Sequence, residues 1–102
     1  MNYLLYIKTN SELISYEALA LAFVLASFDT AVQLCFSGQS GEVLADSASR
    51  VYGMVQSLAL YELPAAWTDD KIDRTLLDDV ILAVTQPIGV IDVGQFDVVL
   101  SF

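Results

Sequence analysis

The sequence predicts an α/β domain of three layers, α/β/α, built on a five-stranded and mostly parallel sheet. Three observations carry that expectation. Runs such as Tyr3–Ile7 (YLLYI) are apolar without alternation, the mark of a strand covered on both faces. Segments of helix length separate these runs. The stretch from Tyr3 to Gly38 reads as a βαβ unit complete in itself, and the remainder of the chain looks like the same unit made smaller and more polar. At 102 residues the chain is expected to form one domain, spanning 1–102.

Tyr3–Ile7 is the first strand, and Lys8-Thr9-Asn10-Ser11 is a polar loop at its carboxyl end, the edge where doubly wound folds hold ligands. A phosphate would need glycines there, so that backbone N–H groups could approach, and the loop has none. Ser15 is the expected N-cap of the first helix, with Glu17 in its first turn. From Ala18 to Phe28 the only polar residue is Ser27. A helix lying on a sheet should keep a polar outer face, and this one does not. Its outer stripe is therefore expected to meet another chain. Ala31–Ser37 is the second strand and contains the single cysteine, Cys35.

Glu42–Ala45 is expected to form a helical turn, and Asp46 to cap a helix from about Ser47 to Leu60 that Gly53 weakens and Pro64 limits. Leu63–Thr68 holds a short third strand, with Ala65–Thr68 as its paired part. Asp69, Asp70 and Asp73 place three carboxylates within five residues. Such a cluster can suggest a magnesium site, but the better reading has Asp70 capping a short helix with Asp73 in its first turn. Val80–Val84 reads as the fourth strand. Phe96–Phe102 is the fifth, centred on Asp97–Leu100. The connection Gln86–Gln95 is barely long enough for a parallel crossover, with one helical turn near Ile88–Val93.

Composition limits the function. Hydrophobic residues make up 56% of the chain and charged residues 17%. In a domain this small much of the apolar excess must lie outside, which points to an oligomer. The net charge is −9, so direct binding to nucleic acid is not expected. With no histidine, the commonest general base and metal ligand is missing. No metal and no cofactor is expected. Cys35 lies between Leu34 and Phe36 in an acidic chain, whereas a nucleophilic thiol wants an electropositive, partly exposed setting. It reads as a core residue. The longest uninterrupted apolar run, Ala18–Ala26, has nine residues, and a bilayer span takes about 20. The N-terminus lacks the basic region and cleavage site of a signal peptide. A soluble, cytoplasmic protein with no membrane partner is the expectation.

Two segments carry a family resemblance. Arg50–Trp67, RVYGMVQSLALYELPAAW, resembles the second helix and third strand of the DsrE/DsrF-like sulfur-relay family, closest to its TusC/DsrF branch, in which a Leu-x-Leu-Tyr helix end precedes a Trp-bearing strand. Phe96-Asp97-Val98-Val99-Leu100-Ser101-Phe102 resembles that branch's terminal strand; the N-terminal βαβ unit is similar in layout only. The resemblance implies a five-stranded parallel sheet and assembly of related small DsrE-like subunits into a heterohexamer that passes persulfide sulfur along a relay. That relay ends in 2-thiouridine of tRNA or serves sulfur oxidation. Sulfur-carrying members place their cysteine just after the third strand; the matching positions here are Thr68, Asp69 and Asp70. The resemblance therefore implies a non-catalytic subunit of a sulfurtransferase complex. A second reading is a small stand-alone sulfurtransferase using Cys35; a third is a self-associating member of the family without a known relay. The candidate interface residues are Ala22, Phe23, Tyr52, Tyr61 and Trp67, with Ala22 on the outer stripe of the first helix.

Overall fold

The computed structural model describes residues 1–102 and shows five parallel strands in the order β4-β3-β2-β1-β5. They are β1 (Asn2–Ile7), β2 (Ala31–Phe36), β3 (Ala66–Thr68), β4 (Thr85–Pro87) and β5 (Val98–Ser101). The helices are α1 (Glu12–Ala26), α2 (Ser40–Ala45), α3 (Arg50–Val55) and α4 (Asp79–Val84), with 3₁₀ turns at Leu58–Tyr61, Arg74–Leu76 and Val93–Gln95. No helix is long and apolar enough to cross a membrane.

The strand order explains the shape of the layers. From β1 to β4 each strand is added on the same side of the last, so right-handed crossovers place α1 to α4 on one face. These helices touch one another in a single layer. The return from β4 to β5 runs the opposite way and crosses the other face. It must span four strand spacings, about 19 Å. The ten residues between Pro87 and Val98 would reach only about 15 Å as a helix. They therefore run mostly extended, with the 3₁₀ turn Val93–Gln95 in place of the helical turn expected at Ile88–Val93. The third layer is this strap, fixed by Phe96 edge-on to Trp67 at 6.2 Å between ring centres.

The core lies between the sheet and the helices. Leu5, Ile7, Val32, Leu34, Phe36 and Ala66 meet Ala18, Leu19 and Ala22 of α1, Val43 and Leu44 of α2, Val51 and Val55 of α3, and Ile81 of α4. Alternation along the strands sends Leu4, Tyr6, Cys35 and Trp67 to the strap side. Leu4 and Cys35 are nevertheless fully buried.

Local chemistry moved several boundaries. The cap of α1 lies four residues before the expected one: Ser11 accepts the Ile14 N–H, Glu12 opens the first turn, and Ser15 is buried inside the helix. The helix expected from Ser47 to Leu60 is split. Asp46 accepts from Ala48 in a turn, Ser49 caps α3, and the chain tightens into a 3₁₀ turn from Leu58. The short helix after β3 is the 3₁₀ turn capped by Asp73, not by Asp70.

The run Val80–Val84, expected as the fourth strand, belongs to α4. Asp78 accepts the Ile81 N–H and Asp79 sits in the first turn, so the acidic pair starts a helix and β4 comes after it. β4 can include Pro87 because it is an edge strand.

Two helix ends share one device. After α1, Asp29 takes φ 59° while Thr30 N–H donates to Leu25 O and Asp29 N–H to Ala26 O. After the Leu58–Tyr61 turn, Glu62 takes φ 61° while Leu63 N–H donates to Leu58 O and Glu62 N–H to Ala59 O. Both are Schellman caps, with an acidic residue in the left-handed position that glycine usually fills.

Candidate functional site at the carboxyl end of the sheet

The parallel register brings both sequence candidates to one place. Tyr6 of β1 pairs with Cys35 of β2, and Cys35 pairs with Trp67 of β3. Ser101 and Gln86 extend this row to the two edges. Beyond β3 the chain turns, and Asp69 N–H donates to Phe36 O at 3.1 Å, holding Asp69 beside the end of β2.

Asp69 is only 6% exposed. The Tyr6 hydroxyl donates to its Oδ2 at 2.7 Å, and the Lys71 N–H donates to its Oδ1 at 3.0 Å. Both carboxylate oxygens thus have a partner, as a buried acid requires. The Lys8 ammonium stands 5.0 Å over the Tyr6 ring, an electrostatic contact on the solvent side. Ser37 draws the Tyr6 phenol down, but burial, the hydrogen bond to Asp69 and that carboxylate's charge together hold it above its usual value.

Cys35 is fully buried, its Sγ directed at Phe36 O at 3.8 Å. Burial, and after it the Asp69 charge, push the thiol up to about 12. A thiol so held is protonated at neutral pH, which leaves little thiolate to act as a nucleophile.

Thr68, Asp69 and Asp70, which follow on one another at the end of β3, part ways. Thr68 is buried and accepts from Arg74 Nη1 at 2.7 Å; the same nitrogen donates to Thr85 Oγ1 at 3.1 Å. Asp69 closes onto Tyr6. Asp70 is exposed. No three acidic or thiol side chains converge as a metal site would require. A groove of about 660 Å³ does open nearby, between Gly38, Gln39 and Glu42 on one side and Lys71, Asp73 and Leu76 on the other. Tyr6, Cys35 and Asp69 do not line it.

The interface candidates also divide. Ala22 is completely buried against the sheet, which corrects its expected place on the outer stripe. On α1 it lies one turn from Ala18 and shares that residue's inward face. Phe23 is half-buried and stacks on Tyr61 at 4.5 Å, and Tyr61 is itself exposed. Tyr52 is half-buried, its hydroxyl donating to Asp78 and so tying α3 to the start of α4. Trp67 is half-buried under the strap.

Tyr6 and Arg74 escaped the sequence reading. Strand alternation could have revealed Tyr6, because it separates Tyr6 from the core residues Leu5 and Ile7. Nothing local signals that Arg74 reaches back to β3.

Fold and site together define an all-parallel α/β domain that holds a buried Tyr6–Asp69 pair and a buried cysteine near the carboxyl end of its central strands. No protein-family model matches the chain, and no curated protein matches it.

Proposed function

We propose that the chain is a non-catalytic, TusC/DsrF-like subunit of a sulfur-relay complex, supporting persulfide transfer by related small DsrE-like subunits. The resemblance at Leu58–Trp67 and Phe96–Phe102 supplies the relay. The observation that carries the non-catalytic part is Asp69: where sulfur-carrying members have a cysteine, this chain has a buried carboxylate held by Tyr6. A carboxylate forms no persulfide and repels an anionic one. Cys35, the alternative nucleophile, is buried and protonated. The relay reading carries a cytoplasmic location with it, where thiols stay reduced. The sulfur would pass to tRNA 2-thiouridine or through sulfur oxidation.

The test is co-expression with small DsrE-like chains from the same genome, then native mass measurement and labelling with radioactive sulfur. A mixed complex with label on the partners and none on this chain is the expected result. Label on this chain that disappears in Cys35→Ser would replace the proposal with the stand-alone sulfurtransferase. If no mixed complex forms, the relay reading fails.

A further inference from the structure

The charged side chains are sorted between the two ends of the sheet. Lys8 follows β1, Lys71 and Arg74 follow β3, and Arg50 meets Glu12 where α1 leaves that same carboxyl end. These are the only four basic side chains. At the amino end stand Asp29, Glu62 and Asp97, in the segments that lead into β2, β3 and β5, and those segments hold no basic side chain. α1 also delivers its carboxyl end there, with no basic residue in its last turn. Side chains and helix dipole together make the amino end a place that favours a cation.

A cavity of about 290 Å³ opens in this end. Val32, Pro64 and Phe96 give it apolar walls, and Thr30, Gln33 and Glu62 give it polar groups. Phe96 is held by its edge-on contact with Trp67. Gln33 supplies the pointer to a ligand. It is 9% exposed, and its Nε2 donates to Leu34 O at 2.9 Å and to Ala65 O at 3.0 Å. Those two bonds fix which way the amide is turned. They leave Oε1 as an acceptor that nothing in the chain serves, on a side chain that lines the cavity. An acceptor held this deep needs a donor, and it comes from solvent or from a ligand.

The lining selects the chemistry of that ligand. Oε1 and the Thr30 hydroxyl can accept hydrogen bonds, and Glu62 sets a carboxylate at the exposed rim. A positive group with N–H donors suits all three. A hard metal ion does not, because the cavity offers one carboxylate and no three acids converge. The walls take an apolar body, and the Phe96 ring suits a cation or a second ring. The volume lies at the lower end of the range for ligand sites, which limits that body to one small ring or a short chain.

We propose that this cavity binds a small organic cation, a primary ammonium carried on an apolar or aromatic body. The inference is independent of the sulfur-relay reading, since it needs neither a partner chain nor a sulfur species.

The experiment is titration of the full chain with benzylammonium, read by amide chemical shifts at near-physiological salt, which screens attraction to the acidic surface at large. Saturable shifts centred on Thr30–Gln33, Glu62 and Phe96 are expected, with a dissociation constant of about 1 mM or tighter for a ligand this small. Glu62→Gln changes an exposed side chain, so it should keep the fold and weaken binding about tenfold. Benzyl alcohol, which lacks the charge, and benzyltrimethylammonium, which lacks N–H donors, should each bind at least about fivefold more weakly. Absence of saturable shifts up to about 10 mM overturns the proposal. So does equal affinity for benzyl alcohol, or undiminished affinity in Glu62→Gln, since either reduces the cavity to apolar surface. Shifts spread over the acids of the carboxyl end would overturn it too, because they would mean charge attraction alone.

Discussion

Asp69→Asn separates the two forces that keep Cys35 protonated. In the wild type the thiol rises from 9.0 to about 12, first through burial and then through the Asp69 carboxylate. Three pH units mean about a thousandfold less thiolate at any pH below 9, or roughly 4 kcal/mol between the two ionisation states. Alkylation of Cys35 in the folded chain should therefore run at least about a thousandfold slower than in the chain unfolded in denaturant at the same pH. Asp69→Asn removes the charge but keeps an amide oxygen to accept from Tyr6. The midpoint of the rate-versus-pH curve should move down yet stay above 9, because the larger cause, burial, is untouched. Iodoacetamide modification with mass-spectrometric detection reads both quantities, with Cys35→Ser as the blank. The reasoning is refuted if the folded wild type reacts as fast as the unfolded chain. It is refuted equally if Asp69→Asn brings the midpoint to 9 or below, which would make the carboxylate rather than burial the dominant cause.

Three further outcomes are expected. Tyr6→Phe takes one partner from the buried Asp69 carboxylate and should lower stability by about 1–3 kcal/mol in a urea titration; no loss would mean that solvent replaces the hydroxyl. Glu62→Gly should stabilise by about 0.5–1 kcal/mol, since relief of left-handed strain outweighs the added freedom of the unfolded chain, and Asp29→Gly should do less because aspartate tolerates that conformation better. Cys35, Tyr6 and Tyr52 are all raised, Tyr52 by its hydrogen bond to Asp78, so above about pH 9 the unfolded chain binds fewer protons than the folded one. Stability should fall as pH climbs from about 9 towards 12, by up to about 1.4 kcal/mol per unit from Cys35 alone, and Cys35→Ser should remove that share; a flat profile would contradict the assignment.

The sheet was legible in the sequence wherever burial on both faces erased alternation, as in Tyr3–Ile7 and Ala31–Ser37. The same signal misled at Val80–Val84, because five apolar residues fit a buried strand or one and a half turns of buried helix equally well. What decided the matter was Asp78, whose side chain caps the helix, and that clue was visible in the sequence. Ala22 failed differently. Around a helix apolar on nearly all sides, periodicity cannot say which stripe faces inward, and only the small size of Ser15, Ala18 and Ala22 hints at close packing on a sheet. The caps at Asp29 and Glu62 were invisible, since neither position carries the glycine that announces a left-handed turn.

The site was legible as two separate facts, an aspartate at the end of β3 and a cysteine within β2, and only the register Cys35↔Trp67 makes them one. That union bears on what a thiol placed at this edge could do. Introducing a cysteine by Asp69→Cys would supply a thiol but not a reactive setting. The new thiol would stand at a site 6% exposed, beside a phenol. A reactive thiolate needs access together with a nearby positive charge or helix N-terminus. Positive charge stands near, in Arg74 bonded to Thr68 and Lys8 over the Tyr6 ring, so it is access that this position lacks. The inertness of this edge therefore resides in its closed packing as much as in the identity of residue 69.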